Sequence, residues 1–316
     1  MQVVFTMKRT PFDDLRAVIE ALPAADTSFE VSAKKSITNL DILGSGGVLA
    51  DAYIWLAKWQ AKENPSVKEA HICLFAASHE GGMAVSDLQT MLAATQQGKA
   101  PINRLCIDHG VGLRVLELAL ELPQEKLEET PMMTEKDTMA AIAFGMEAAA
   151  SGGDVLVLGD LAYGGETRSL CVIKAVYPDM AQGWDGLRDG VADVTLITNI
   201  LMKSSDLKQT TLDSLTKFGS REIAAMVGAI IAARSQRIPV LLDGWPALAA
   251  AMVLHKLAPQ TIDHCMAANA SDAYQTKCWQ AIGLTPLLQL ENNMGQGIGG
   301  ANALRLLHAA VQLYGH

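Results

Sequence analysis

The sequence predicts an α/β fold, in which a doubly wound, Rossmann-like parallel sheet is joined to a smaller helical domain. Short apolar runs alternate with helical patterns along most of the chain, and each run ends in a polar or glycine-containing turn. This alternation is typical of parallel strands connected by helices. Half of the 316 residues are apolar but only 5% are aromatic, so the core is expected to consist mainly of aliphatic side chains.

The N-terminal segment has helical patterns and no strand pattern. Thr10 is followed by a proline and two acidic residues, which supply a cap and a favourable first turn for a helix over residues 11–22. Residues 23–36 are polar and irregular, and a connecting segment is expected there. A glycine-rich turn at residues 43–48 then opens a helix over residues 49–62.

Apolar runs of strand length follow at residues 71–77, 102–108, 154–159, 239–243 and 261–267. Helices are predicted over residues 85–97, 134–150, 169–177, 191–202, 212–233 with a break at Gly219, 247–257, before Gly283, and over 301–314. Because strand patterns begin only after residue 64, we expect two domains. They are a helical domain of residues 1–64 plus 301–316 and an α/β domain of residues 65–300.

Composition and charge exclude several classes of protein. The net charge of −9 and the lack of any lysine and arginine cluster argue against nucleic-acid binding. The five cysteines have no paired spacing and the histidines have no ligand spacing, so no metal site is predicted. The longest weakly polar stretch, residues 224–233, is too short to span a bilayer, and the N-terminus lacks the charge pattern of a secretory signal. A cytoplasmic protein without membrane association is expected.

Polar side chains follow four of the predicted strands. His79 follows the first, Asp160 the third, Asp243 the fourth and Ser271 the fifth. Since ligands bind at the carboxyl ends of strands in open parallel sheets, these residues are candidates for one site. A histidine near a strand end is structural at least as often as it is catalytic.

Two glycine-rich loops are further candidates. Residues 160–165 join a strand to a helix, which is the arrangement of an anion cradle and also of an ordinary tight turn. In residues 290–303, Gly295, Gly297, Gly299 and Gly300 flank Gln296, and this stretch forms either the wall of an active site or a flexible connector to the last helix.

Several loops, taken together and in order, resemble the nicotinate-nucleotide–dimethylbenzimidazole phosphoribosyltransferases of cobamide lower-ligand assembly. The likeness covers roughly residues 44–314, and the ordered set is more specific than any single loop. The segments that carry it are PMMTE at 131–135, LGDLAYGGET at 158–167, KFGSREIAAMVGA at 217–229, PVLLDGW at 239–245, GLTPLL at 283–288 and GQGIGGA at 295–301.

The resemblance implies a glycosyltransferase of cobalamin biosynthesis that needs no cofactor. It implies transfer of the phosphoribosyl group of nicotinate mononucleotide to a ring nitrogen of a benzimidazole, with release of nicotinate and formation of an α-riboside phosphate. The partners are then a small-molecule nucleotide and an aromatic base, and the chain is expected to form a homodimer.

The resemblance also implies roles for individual residues. The 5′-phosphate is placed at the loop 160–165 with Lys217 as the cation and Ser271 as a hydroxyl donor, and Asp243 has a structural or ribose-side role. Thioether and hydroxyl side chains suit the flat aromatic base, although each methionine taken alone is more often a core residue. The implied substrate-side residues are Gly159, Gly164, Gly165, Lys217, Asp243, Ser271, Met83, Ser86, Met294, Gly295 and Gly297.

The carboxylates depart from the family pattern. Gln296 occupies the position of the family's catalytic glutamate, and Asp160 replaces a second glutamate. The family's lysine-proline-proline-glycine segment is replaced by residues 41–44, and its aspartate-histidine pair by Ser78 and His79. An amide does not accept a proton at neutral pH, and loss of a general base typically costs about 10²- to 10⁴-fold in rate.

These departures leave two hypotheses open. In the first, the chain is an active phosphoribosyltransferase in which Glu166, His79 or Asp160 accepts the proton, with Glu291 also close in sequence to Gln296. In the second, it is a catalytically impaired homologue that binds nucleotide or aromatic base, or a subunit of a hetero-oligomer whose partner supplies the carboxylate. A nicotinamide-dinucleotide oxidoreductase is disfavoured, because no GxGxxG lies between the first strand and its helix.

Overall fold

The central element of the protein is a parallel sheet. The computed structural model describes residues 10–40, 46–128, 131–181, 183–203, 210–291 and 294–315. Within these ranges the sheet has five strands: β1 Ala70–Ala76, β2 Gly112–Glu117, β3 Val155–Leu161, β4 Val240–Leu242 and β5 Cys265–Ala267. Their order is β2-β1-β3-β4-β5 and every neighbouring pair is parallel, so the predicted fold class is confirmed.

Helices connect the strands and cover both faces of the sheet. In the described part of the chain they are α1 Pro11–Glu20, α2 Thr27–Leu40, α3 Gly47–Gln60, α4 Val85–Gln96, α5 Pro101–His109, α6 Glu135–Gly145, α7 Gly165–Val176, α8 Val194–Lys203, α9 Thr211–Phe218, α10 Arg221–Ser235, α11 Trp245–Leu257, α12 Ala273–Ala281 and α13 Ile298–Tyr314. Short 3₁₀ helices lie at Met146–Ala149, Pro178–Ala181 and Pro259–Ile262.

The strand residues alternate between two apolar cores. In β1, Cys73 and Phe75 pack on one face, whereas Ile72 and Leu74 pack on the other. Both sets are buried because each face of the sheet is covered by helices, and this explains why the strand sequences are continuously apolar. The helices α6, α7, α10 and α11 cover the first face, and α3 and α13 cover the second.

The prediction of a strand at residues 102–108 is wrong, because this segment is helix α5. Pro101 occupies its first turn, Asn103 accepts a hydrogen bond from the Ala100 N–H at 2.9 Å, and Gly110 ends it in the left-handed conformation. The strand that follows, β2, begins three residues after the end of α5 and was missed. Its alternate residues are more exposed because it is an edge strand of the sheet, so its apolar run is interrupted.

The prediction of an irregular segment over residues 23–36 is also wrong, because most of it belongs to α2. Asp26 caps this helix by accepting a 3.0 Å hydrogen bond from the Ser28 N–H, and Lys34 pairs with Glu30 at 2.6 Å one turn away. Only Ala33 and Ile37 among the helix residues whose side chains are described are fully buried. The apolar stripe is too narrow to be recognised from the sequence, and packing on α3 supplies the missing stabilisation.

The N-terminal helices lie on opposite faces of the sheet. Helix α1 packs beside α6, where the Phe12 N–H donates to Glu135 Oε1 at 3.1 Å, whereas α2 and α3 pack with α13. The division into a helical domain and an α/β domain stays a prediction. The turn predicted at residues 43–48 and the departure at residues 41–44 fall largely outside the described residues.

The cysteines are buried as small apolar side chains. Burial raises the pKa of the Cys73 thiol to about 12 and that of the Cys106 thiol to about 11.

Among the described residues, no helix is both long and apolar enough to cross a membrane. Within the same ranges, no group of three or more histidine, cysteine, aspartate or glutamate residues is arranged to hold a metal ion.

Candidate active site

A cleft lies at the carboxyl ends of β3, β4 and β5. The glycine-rich turn before α13 closes one side of it, so this stretch is part of the wall of the cleft. Six residues selected from the sequence therefore come together, although they lie up to 137 positions apart. The lining residues are Asp160, Tyr163, Glu166, Asp243, Gly244, Trp245, Pro246, Asn269, Ser271, Gln275, Gly295, Gly297 and Gly299.

The turn around Gln296 has an unusual backbone. Gly295, Gln296 and Gly297 all have left-handed φ angles, of 62°, 59° and 69°. For a residue with a side chain this conformation costs roughly 1–2 kcal/mol. The Gln296 N–H donates to the carbonyl oxygen of Asp160 at 3.1 Å, and its side-chain Nε2 donates to the Tyr163 hydroxyl at 3.3 Å. Backbone and side chain thus hold Gln296 against the loop that follows β3.

The start of α13 packs directly on the strand ends. A Cβ at Gly300 would collide with the Val157 side chain, so only glycine permits this close approach. The Gly300 N–H donates to Asp243 Oδ2 at 2.9 Å, and Asp243 therefore caps the helix. Burial raises the pKa of Asp243 to about 6, and the N–H groups of Gly300 and Gly299 oppose the rise.

At the loop between β3 and α7, the Glu166 carboxylate occupies the place that an anionic ligand could take. Helix α7 begins at Gly165, four residues earlier than predicted, and Gly164 precedes it with a φ of 94°. The Gly164 N–H donates to Glu166 Oε2 at 3.2 Å. A carboxylate thus accepts a hydrogen bond at the helix N-terminus where the sequence predicted a phosphate.

A buried pair of hydrogen-bonded side chains supports this loop from below. His79 Nε2 lies 3.1 Å from Glu222 Oε1, and the Ser220 hydroxyl donates to the same oxygen at 2.6 Å. A Cβ at Gly165 would lie 2.9 Å from that oxygen, so α7 rests on the pair. Burial by itself raises the pKa of Glu222, but His79 and the hydrogen bonds outweigh it and hold the pKa below its usual range. His79 thus has a partner and does not line the cleft among the described residues.

The two carboxylates that line the cleft beside this loop are shifted in the opposite direction. Burial raises the pKa of Asp160 well above its usual range, and the nearby Glu166, Glu222 and Asp243 raise it further. Burial also raises the pKa of Glu166, against the Gly164 N–H and its own N–H. Both side chains hold a proton more readily than an exposed carboxyl group does.

The lining of the cleft also includes two residues with hydrogen-bond donors. The Ser271 hydroxyl and the Trp245 indole N–H are buried and, among the described residues, neither has a hydrogen-bond partner. The Gln275 side chain accepts a 2.7 Å hydrogen bond from the Ser271 N–H and so fixes this residue. Trp245 is the first residue of α11, which places the positive end of that helix at the cleft.

A second groove, here called the slot, adjoins the cleft. Met83, which the resemblance places beside the aromatic base, lies in it, as does Gly164. Three other implied residues lie outside both spaces: Ser86 is exposed in the first turn of α4, Met294 is half exposed, and the Lys217 ammonium lies 5.2 Å from the centre of the Phe218 ring. The slot is lined by Gly81, Gly82, Met83, Ala84, Asp87, Tyr163, Gly164, Glu166, Thr167, Gly190, Val191, Ala192 and Asp193.

Sequence reasoning missed three residues of this region. Tyr163 and Trp245 lie within the family-like segments, but neither was singled out because a lone aromatic residue usually indicates packing. Glu222 gave a clearer signal, since it is a carboxylate at the start of a helix composed almost entirely of small apolar residues. A charge that is carried into such a helix requires a buried partner, which here is His79.

Comparisons with known proteins agree with the fold and with the family-like loops. A family model described as phosphoribosyltransferase matches residues 22–316. The nicotinate-nucleotide–dimethylbenzimidazole phosphoribosyltransferase of Brucella anthropi is 34% identical over 95% of this chain and 93% of its own length. The protein of the same name from Allorhizobium ampelinum is 36% identical over 95% of this chain and 92% of its own.

The fold is also found in a solved structure. The crystal structure of the nicotinate-nucleotide–dimethylbenzimidazole phosphoribosyltransferase from Thermus thermophilus superposes with a TM-score of 0.79. The match covers 92% of this chain and 96% of that chain, at 24% identity. The likeness supports the doubly wound architecture described above.

Proposed function

The chain belongs to the nicotinate-nucleotide–dimethylbenzimidazole phosphoribosyltransferase family, and we propose that it transfers the phosphoribosyl group of nicotinate mononucleotide to a benzimidazole-type base. The observation that carries this proposal is the division of the site into two adjoining spaces, the cleft and the slot. A transfer between two aromatic bases requires one space for the nucleotide and one for the acceptor, with the reacting carbon between them.

The nucleotide phosphate is assigned to the donor side of the cleft. Trp245 and Ser271 form what we call the donor wall, because their side-chain donors have no partner in the described structure. An anion satisfies such donors, and the N-terminus of α11 adds a favourable field. At the start of α7 the Glu166 carboxylate already accepts the Gly164 N–H, so a phosphate there would have to displace it.

The acceptor base is assigned to the slot. The glycine-rich backbone on one side leaves a flat opening, and the Met83 thioether offers a polarisable contact to an aromatic ring. The roles of Ser86, Met294 and Lys217 in substrate binding remain predictions. They would require these side chains to approach once ligand is present.

The chemical step is a displacement at the ribose carbon C1′. A ring nitrogen of the acceptor donates its electron pair to C1′, the bond from C1′ to the nicotinate nitrogen breaks, and the electron pair leaves with nicotinate. The other ring nitrogen of the acceptor loses its proton, which gives a neutral α-riboside phosphate. Asp160 and Glu166 line the cleft and form what we call the acidic wall, which favours the positive charge that develops on the ribose.

The supporting residues have separate roles in this proposal. Asp243 caps α13 and so holds Gly299 and Gly300 against the cleft. His79 pairs with Glu222 beneath α7 and fixes the position of the loop that carries the acidic wall.

We expect the protein to be cytoplasmic and to form a homodimer. Light scattering of the purified protein tests the oligomeric state.

Turnover by the purified protein tests the proposed function. The protein is incubated with nicotinate mononucleotide and a panel of benzimidazoles, purines and phenols, and riboside phosphates are measured by mass spectrometry. Product formation at kcat values of roughly 1 s⁻¹ or higher is expected for an ordinary enzyme. Tight binding of nucleotide by calorimetry without any product would instead identify a catalytically impaired homologue or a subunit that needs a partner.

A further inference from the structure

We propose that Glu166 is the catalytic residue that takes the proton from the acceptor base. The inference rests on the proposed function and names the group that performs its proton transfer. It is needed because the family position for this task holds Gln296, whose amide does not accept a proton at neutral pH. The Gln296 amide donates to the Tyr163 hydroxyl instead.

The position of Glu166 between the two spaces is the first argument. Tyr163 and Glu166 are the two described residues that line both the cleft and the slot. The ribose carbon and the attacking nitrogen must meet at this junction, because one substrate occupies each space. Of the two side chains, Glu166 is the one that offers a carboxylate to the proton-bearing edge of the acceptor.

The other carboxylates that line the cleft or lie beneath it are engaged elsewhere, and among the described residues Asp87 and Asp193 line only the slot. Asp243 accepts the Gly300 N–H and caps α13. Glu222 is fully buried, pairs with His79 and lies behind Gly165, so it reaches neither space. Asp160 lines the cleft but does not line the slot among the described residues, and its Oδ2 faces the Ala162 N–H.

The charges around Glu166 suit a proton acceptor. Asp160 lies on β3, Glu222 on α10 and His79 in the loop after β1, while Asp87 and Asp193 lie along the slot. Burial, followed by a smaller contribution from Glu222, raises the pKa of Glu166, and the N–H groups at the helix start and His79 lower it. The group therefore binds a proton more readily than an exposed glutamate does, which makes it a stronger base.

The proposed step moves one proton. Glu166 begins as a carboxylate hydrogen-bonded to the Gly164 N–H. As the acceptor nitrogen forms its bond to C1′, the second ring nitrogen releases its proton to Glu166, which becomes a neutral carboxylic acid. Nicotinate leaves with the electron pair of its bond to C1′. The carboxylic acid returns the proton to water after the products dissociate.

Glu166→Gln is the direct test, with initial rates measured between pH 5 and 9. In the unmodified protein, kcat/KM is expected to rise with pH as Glu166 becomes ionised and then to level off. The variant should lose about 10²- to 10⁴-fold in kcat and lose this ascending limb, because the amide has no titratable proton. Nucleotide binding, measured by calorimetry, should change far less. Glu147→Gln is the matched control, since it removes an exposed carboxylate before β3, at the opposite edge of the sheet.

A second variant keeps the test decisive if Glu166→Gln does not fold. Glu166→Asp retains the carboxylate but withdraws it by one methylene, and it should retain part of the activity and the ascending limb. An unmodified protein that turns over while both variants keep its kcat and pH profile would overturn the assignment and leave the proposed function intact. Absence of turnover by the unmodified protein with every acceptor would overturn both.

Discussion

The donor wall and the acidic wall line the same cleft but are prepared for ligand in opposite ways. On the donor wall, Ser271 and Trp245 present buried donors that have no partner in the described part of the protein. On the acidic wall, Glu166 already accepts a hydrogen bond from Gly164, and Asp160 faces the N–H of Ala162. The donor wall therefore offers unpaired donors to an anion, whereas the acidic wall offers carboxyl groups to the substrates.

This difference explains why the glycine-rich loop after β3 is a poor phosphate cradle here. A helix N-terminus attracts any anion, and in this chain a side chain of the same helix satisfies it. In the proposed function the loop therefore serves proton transfer, and the phosphate is bound at the start of α11. A motif that resembles an anion site must be checked for an internal anion before a ligand is assigned to it.

Removing the donors should produce the largest change in substrate affinity. Hydrogen bonds to charged groups contribute about 1.5–3 kcal/mol, so Ser271→Ala combined with Trp245→Phe should weaken nucleotide binding by about 100-fold or more. The value of kcat at saturating nucleotide should change little, because the acidic wall is untouched. Calorimetry with nicotinate mononucleotide measures the affinity. Ser235→Ala, at the exposed end of α10, is the control. Unchanged affinity in the double variant would place the phosphate elsewhere.

Restoring a carboxylate at position 296 should produce a smaller, conditional effect. In the Glu166→Gln background, Gln296→Glu is expected to regain about tenfold in kcat, because the new carboxylate lies beside Tyr163 at the same junction. In the unmodified background the same substitution should change kcat by less than about threefold, since Glu166 already acts as the base. Steady-state rates of the four proteins form a double-mutant cycle. A large gain from Gln296→Glu alone would mean that the acidic wall lacks a working base.

The last prediction concerns stability: neutralising Asp160 should change how the free energy of unfolding depends on pH. Burial raises its pKa, so the folded protein binds this proton more tightly than the unfolded chain does. Its stabilising contribution is complete below the unfolded pKa of about 3.9 and is lost as the pH rises through the folded value. Asp160→Asn should therefore be more stable than the unmodified protein at pH 7 and about equal to it at pH 4. Urea unfolding at both pH values measures the difference, with Asp51→Asn as the exposed control. If Asp160→Asn were less stable than the unmodified protein at pH 7, burial of the Asp160 carboxylate would not be destabilising.

Much of the fold followed from local pattern, and the exceptions have local causes. Strands β1, β3 and β4 lie inside the sheet and gave continuous apolar runs that were recognised, whereas of the strand predicted over residues 261–267 only β5, Cys265–Ala267, is a strand, because a 3₁₀ helix occupies Pro259–Ile262. The edge strand β2 is interrupted by exposed residues, while the apolar residues of α5 lie close enough together to imitate a strand. Periodicity alone does not separate a short buried helix from a strand. For this reason α5 was predicted as a strand and β2 was missed.

The site was recovered in part, for a related reason. Asp160, Asp243 and Ser271 were selected because they follow parallel strands, and the common strand direction places them at one edge of the sheet. Lys217 was selected from a family-like segment, yet it lies beside Phe218 and does not line the cleft among the described residues. Membership of a motif does not specify where a flexible side chain points.

The sequence by itself determined the parallel α/β architecture, the edge of the sheet that carries the site and the departure at Gln296. These properties follow from residue order and from periodicities that act over a few residues. Only the tertiary structure decided that Glu166 accepts the Gly164 N–H at the start of α7, that His79 pairs with Glu222, and that two walls of opposite character line one cleft. The His79–Glu222 pair and the two walls depend on contacts between segments that lie far apart in the sequence, and packing of the whole chain sets those contacts.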